Sequence, residues 1–148
     1  MVRLILPDSG PLGLLTAPPR KAASQPCAQW LAQIVAAGCR VVVPEIIDYE
    51  LRRELLRAGK LASVRRLDAL ERATEYLPIT TAAMRRAAEV WAQTRQQGQP
   101  TAGDDTIDAD MILVGQAETM GVPFTIATTN VGHLSRFVAA DLWQNIVP

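Results

Sequence analysis

Asp8, Glu50, Asp110 and Asn130 are the side chains whose types and placement could do chemistry. Asp8 ends the apolar run Val2-Arg3-Leu4-Ile5-Leu6-Pro7. Glu50 stands about one and a half helical turns past a second run, Arg40-Val41-Val42-Val43-Pro44. Asp110 lies near the start of the helical stretch that feeds a third run, 122–128, and Asn130 follows that run. In parallel sheets, sites form outside the carboxyl ends of the strands, so these four remote segments are expected at one edge of one sheet. Oxygen ligands without His or Cys suit Mg²⁺ or Mn²⁺.

Simpler roles compete for each residue. Asp8 alone could cap the next helix, and Glu50 could be a surface acid paired with Arg53 or Arg57. Asp104, Asp105 and Asp108 suit the positive end of a helix dipole. Asp110 is harder to place as a surface acid. It shares a helical face with Leu113, Val114 and Ala117, where an unpaired carboxylate is costly. Asn130 is by default a turn residue, and His133, the single histidine, is read as structural or binding.

The elements that must position these groups alternate. Strands are predicted at 2–6, 40–44, 77–79, 122–128 and 138–143. Helices are predicted from Pro11, over 25–38, from Pro44 at the first helical position to 58–59, over 62–76, from a cap at Thr80 or Thr81 to 97–98, from 105–106 to 120, and over 131–137. Residues 99–105 read as loop. Short β-branched strands alternating with amphipathic helices predict an α/β fold, a three-layer α/β/α sandwich with a mainly parallel central sheet.

Composition narrows the function classes. The 148 residues suit one domain, and 49% hydrophobic with 20% charged residues is ordinary globular composition. Fifteen bases balance fifteen acids, which argues against a surface that grips nucleic acid all over. Residues 101–148 nevertheless carry one base, Arg136, against six acids. Cys27 and Cys39 show no zinc spacing and read as buried thiols in a reducing compartment. The start is broken too early by Pro7 and Asp8 for a signal peptide, and no run reaches the roughly 20 apolar residues of a membrane span, so a cytoplasmic protein is expected. Phosphate-cradling GxxxxGK[ST] and GxGxxG motifs are absent from the sequence. Asp108-Ala-Asp110 has the DxD form used by nucleotidyltransferases, but no Gly-Ser pair precedes it.

Four segments in register resemble PIN domains. The strand ending Leu6-Pro7-Asp8-Ser9-Gly10 resembles their opening Asp motif, and Pro44-Glu45-Ile46-Ile47-Asp48-Tyr49-Glu50-Leu51-Arg52-Arg53 their second. Asp110-Met-Ile-Leu-Val-Gly-Gln-Ala117 resembles the third, and Gly121 through Thr128-Thr129-Asn130-Val-Gly-His133 the fourth. The resemblance covers nearly the whole chain, read as one PIN-like domain over 1–148. It implies a Mg²⁺- or Mn²⁺-dependent endoribonuclease, often the VapC-type toxin of a toxin–antitoxin pair, with an RNA substrate, an antitoxin partner and a homodimer. Asp8, Glu50 and Asp110 carry over as metal-binding catalytic carboxylates. The fourth position, often Asp in the family, is Asn130 here, and Asp108 is the candidate to compensate its missing charge. Ser9 and Asn130 would support the site, with Arg52 and Arg53 as RNA contacts and further bases on later helices. The alternatives are a PIN-like module that binds RNA or protein without cutting, favoured by Asn130, and a metal-using nucleotidyltransferase or phosphatase on a similar sheet.

Overall fold

The computed structural model describes residues 2–97, 104–132 and 134–148 and, within these, all side chains except those of 104–107. His133 and most of the predicted 99–105 loop lie outside the described residues, as does the predicted helix end at Gly98. Five strands, β1 (Leu4–Pro7), β2 (Arg40–Pro44), β3 (Glu75–Leu77), β4 (Phe124–Thr128) and β5 (Ala140–Leu142), interleave with six helices. The helices are α1 (Ser9–Thr16), α2 (Ser24–Ala36), α3 (Glu45–Arg57), α4 (Leu61–Ala73), α5 (Thr81–Gln96) and α6 (Asp104–Glu118).

Every strand pairing is parallel, in the order β3-β2-β1-β4-β5. The chain winds outward from β1 through β2 to β3, then returns to place β4 on the other side of β1. The order therefore reverses between β1 and β4, the kind of crevice in which parallel sheets bind ligands.

Strand pleating sorts the core into layers. Leu4, Leu6, Val42 and Ile126 face a cluster with Leu12 of α1, Ile46 and Ile47 of α3, Leu67 of α4 and Leu113 of α6. Ile5, Val41 and Ala127 face the opposite layer of Cys27, Trp30 and Ile34 from α2, closed by Trp143 and Ile146. Trp30 Nε1 donates to Ile146 O at 2.9 Å, tying α2 to the end of the chain. A smaller cluster of Ala87, Val90, Met111 and Val114 joins α5 to α6.

Four local expectations are corrected. Pro44 ends β2 and forms the N-cap of α3 instead of occupying its first turn. The third strand is Glu75–Leu77, not 77–79, because its pairing with Val42, Val43 and Pro44 begins at Glu75. Helix α4 correspondingly ends at Ala73, where the Thr74 hydroxyl bonds back to Leu70 O. The helix predicted over 131–137 is a single 3₁₀ turn at Leu134–Arg136. No helix among the described residues is long and apolar enough to cross a membrane.

Candidate active site

Asp8 stands immediately past β1, where its extended backbone makes it the N-cap of α1. Oδ1 accepts from Gly10 N at 2.9 Å, and Oδ2 accepts from the Thr128 hydroxyl at 2.5 Å. The capping role and a metal-binding role are compatible, because each carboxylate oxygen retains a lone pair. Gly10 is needed for this approach. A Cβ there would lie 2.3 Å from Thr129 Oγ1, so a larger residue would push α1 off the segment after β4. Burial holds the Asp8 carboxyl above its ordinary range, against the pull of the Thr128 and Gly10 bonds.

Glu50 reaches the same region from α3, and Asp110 from α6. Burial raises the Asp110 carboxyl to about 6, with the Asp8 charge adding to it. Burial likewise raises Glu50, followed by the Asp110 charge; Arg53 eases the shift and Asp8 adds to it. The three carboxylates thus lie within electrostatic reach of one another. No ion pair among the described residues involves any of the three. Nor do any three His, Cys, Asp or Glu side chains among the described residues stand close enough together to form a ready metal cage. The donor chemistry fits a hard divalent cation, an all-oxygen set of mutually repelling carboxylates, but the ligands would have to draw inward to hold it.

The remaining candidates separate. Asp108 is exposed and borders a groove with Met84, Trp91 and Met111, between α5 and α6. Two residues along a helix turn a side chain by about 200°, so Asp108 faces away from the trio that Asp110 joins and does not compensate there. Ser9 is exposed, and the carboxylate-holding role expected of it belongs to Thr128, a buried residue that the sequence reading passed over. The signal was its position at the last residue of a buried strand, where a hydroxyl needs a partner. Asn130 is exposed, and its Oδ1 accepts from Gly132 N at 3.0 Å, the local bond of a turn asparagine. Its backbone N–H donates to Thr128 Oγ1 at 3.0 Å, so it buttresses the residue that holds Asp8.

Arg52, expected as an RNA contact, is engaged in ion pairs within the protein. Its guanidinium pairs with Asp48 at 2.9 Å, Asp68 at 2.7 Å and Glu71 at 3.4 Å, binding α3 to α4. Arg53 stays exposed, its guanidinium 5.1 Å from the Tyr49 ring centroid. Among the later bases, Arg86 is held by Glu118 and Glu89.

Gln116 was also missed, although it lies inside a quoted motif. Fully buried, it accepts from Ile46 N at 3.1 Å and donates to Leu77 O at 2.8 Å.

Comparison with known proteins places the fold. The chain is similar to solved VapBC2 from Rickettsia felis bound to a DNA fragment from their promoter. The TM-score is 0.71 at 12% identity, over 95% of this chain and 98% of that one. It is similar to VapBC-1 from nontypeable Haemophilus influenzae, with TM-score 0.68 at 16% identity over 96% and 99%. FitAcB from Neisseria gonorrhoeae gives 0.64 at 21% identity over 96% and 99%. At such identities the likeness is one of fold. No functionally curated protein matches the chain. The family model described as PIN domain matches residues 20–133, a span that includes Glu50 and Asp110 and the β1–β4 reversal's second strand, and the chain belongs to the PIN domain family.

Proposed function

We propose that this protein is a divalent-metal-dependent endoribonuclease of the VapC type, the toxin of a toxin–antitoxin pair. The observation that carries the reading is the trio Asp8, Glu50 and Asp110. Asp8 follows β1 at the β1–β4 reversal, and its charge acts on both Glu50 of α3 and Asp110 of α6. A proton or a bound cation relieves such repulsion, and the all-oxygen donor set suits a hard divalent cation. Chains similar in fold come from solved VapBC2 and VapBC-1, which supports an antitoxin as partner.

Asp8, Glu50 and Asp110 would hold Mg²⁺ or Mn²⁺, which when bound supplies a water of lowered pKa and a charge clamp on phosphate oxygens. The chain's own residues do the rest. Thr128 fixes the Asp8 carboxylate so that one edge stays turned to the site, and Asn130 supports Thr128 through its backbone N–H. Arg53, exposed beside Glu50 and stacked on Tyr49, is placed to meet a backbone phosphate of single-stranded RNA. The reading extends to a cytoplasmic homodimer.

RNA cleavage with and without Mn²⁺ tests the proposal. The wild type is expected to cut only with the metal, and Asp8→Asn to abolish cutting while the fold persists. Metal-independent cutting, or cutting by Asp8→Asn at the wild-type rate, would remove the assignment. RNA binding without cutting would instead support the alternative of a non-catalytic PIN module, which draws on the turn geometry of Asn130.

A further inference from the structure

We infer that Gln116 is a positioning residue. Its side chain caps α3 from α6 and thereby sets the gap between Glu50 and Asp110 across which a divalent ion is held. The inference rests on the metal reading above and names a residue that reading does not use.

The first turn of a helix leaves backbone N–H groups without intrahelical acceptors. Helix α3 starts on Pro44, whose side chain cannot cap it. The acceptor comes from another helix: Ile46 N donates to Gln116 Oε1 at 3.1 Å. The same amide donates from Nε2 to Leu77 O at 2.8 Å, at the end of β3. From the opposite side, Ile79 N donates to Glu45 Oε1 at 2.8 Å. The start of α3 and the end of β3 are therefore clamped together twice, once through α6.

The clamp has a fixed arm. At Gly115 a Cβ would lie 2.2 Å from Ala83 O, so α6 is seated against the backbone of α5 and cannot turn freely about its axis. Along α6, Gln116 is about 9 Å from Asp110; along α3, Ile46 is about 6 Å from Glu50. The two carboxylates thus sit on short rigid arms that meet at one amide.

Apolar packing between α3 and α6 is non-directional and permits small slides. The Ile46 N bond to Gln116 Oε1 ties α3 to α6, and the Nε2 bond to Leu77 O anchors the same amide on β3, so the slide is limited by a directional contact. Carboxylates closing on Mg²⁺ at about 2.0–2.1 Å need that restriction. A buried amide that merely satisfied itself would stabilise the fold equally well without bridging these two helices.

The test measures Mn²⁺ affinity and amide exchange in Gln116→Met, which keeps the length and volume and loses both bonds. Gln116→Glu serves as the conservative partner, since it retains an acceptor for Ile46 N. Ile34→Val, in the other core layer, is the control for destabilisation. Gln116→Met should bind Mn²⁺ about tenfold more weakly, as removal of outer-shell support does, and lose exchange protection at the Ile46 amide. Gln116→Glu should recover both in part, and Ile34→Val should change neither at a comparable melting temperature.

Wild-type protection at Ile46 persisting in Gln116→Met would overturn the cap. Lost protection with unchanged Mn²⁺ affinity would overturn its link to the Glu50–Asp110 gap. A wild type that takes up no Mn²⁺ overturns the metal reading and with it this consequence for the ion, and is recognised because Ile46 protection still responds to Gln116→Met.

Discussion

Helix α3 sends acids into two clusters. Asp48 joins Asp68 and Glu71 on the α4 side, and Glu50 joins Asp8 and Asp110 on the α6 side. The first cluster contains its own cation. Arg52 lies among the three carboxylates at 2.7–3.4 Å. Its bond and one from Glu71 hold Asp48 below its ordinary value despite burial. Burial and the Asp48 contact push Glu71 up to about 8. The second cluster has no guanidinium in ion-pair contact among the described residues, Arg53 acting on Glu50 only through its charge, and all three of its carboxyls are raised. The difference teaches how to separate structure from chemistry among acids on one helix. On the function proposed above, a cluster closed by an internal Arg serves packing, while one without a paired counter-charge is left to a ligand.

The comparison breaks first if the second cluster proves inert. Asp110→Asn should cost RNA cleavage roughly a thousandfold, on the scale of a few kcal/mol of transition-state charge stabilisation by a bound ion. The metal-free protein should stay as stable or become more so, because a repelling charge is removed. Thermal melting beside a cleavage assay checks both. Unfolding of Asp110→Asn would show that the carboxylate holds the core together.

Arg52→Met should behave in the opposite way. Removing the shared cation leaves three acids uncompensated, and loss of one partner from a buried network costs about 3–5 kcal/mol. Arg52 is 28% exposed in its side chain, so solvent screening reduces the expected loss to about 2 kcal/mol. Urea unfolding measures it. A loss within about 0.5 kcal/mol, the range of ordinary surface substitutions, would show that Arg52 is not the keystone of the first cluster.

The pH dependence sharpens the contrast. A carboxyl whose folded pKa exceeds its unfolded one binds its proton more tightly when folded. Its contribution is therefore fully present below the unfolded value and lost as pH rises through the folded one. For Asp110, raised from 3.8 to about 6, metal-free stability should decline between about pH 4 and 6. Asp110→Asn should flatten that decline. Because Mn²⁺ competes with the proton for the same oxygens, its stabilisation should be small at pH 5 and full at pH 7.5. A Mn²⁺-induced melting shift independent of pH would place the ion elsewhere.

Much of this was legible in the sequence, for a physical reason. The short apolar runs with their breaks marked β1, β2 and β4, and Asp110 stood out as a carboxylate on an apolar helix face, while Asp8 and Glu50 drew attention only through their places after strands. What stayed hidden depends on contacts between distant segments. Thr128 reads as an ordinary strand residue until Asp8 is seen across 120 positions at its hydroxyl. Gln116 reads as one polar residue on an apolar helix until Ile46 and Leu77 meet its amide. Arg52 looked free because spacing along one helix shows Asp48 but not Asp68 and Glu71 on the next. The third strand is displaced by two residues because its partners on β2 cannot be read locally; the ladder runs over Glu75–Leu77 and ends before Pro78, which has no N–H to give it.

The smallest expected effect is at Asn130, where the sequence departs from the fully acidic pattern. An added carboxylate facing the trio would raise Mn²⁺ affinity by extending the charge offered to the ion. The local geometry argues for no such gain. Asn130 Oδ1 already accepts from Gly132 N within its own turn, and an aspartate makes that bond at least as well, since both side chains favour this motif. The new charge would remain on the turn, exposed to solvent and screened. Asn130→Asp is therefore expected to leave Mn²⁺ affinity within about twofold of wild type, a difference of roughly 0.4 kcal/mol. Calorimetric titration of the two proteins measures it. A tenfold gain would mean that the side chain leaves Gly132 and turns to the ion, which would make the fourth position part of the site that Asp8, Glu50 and Asp110 begin.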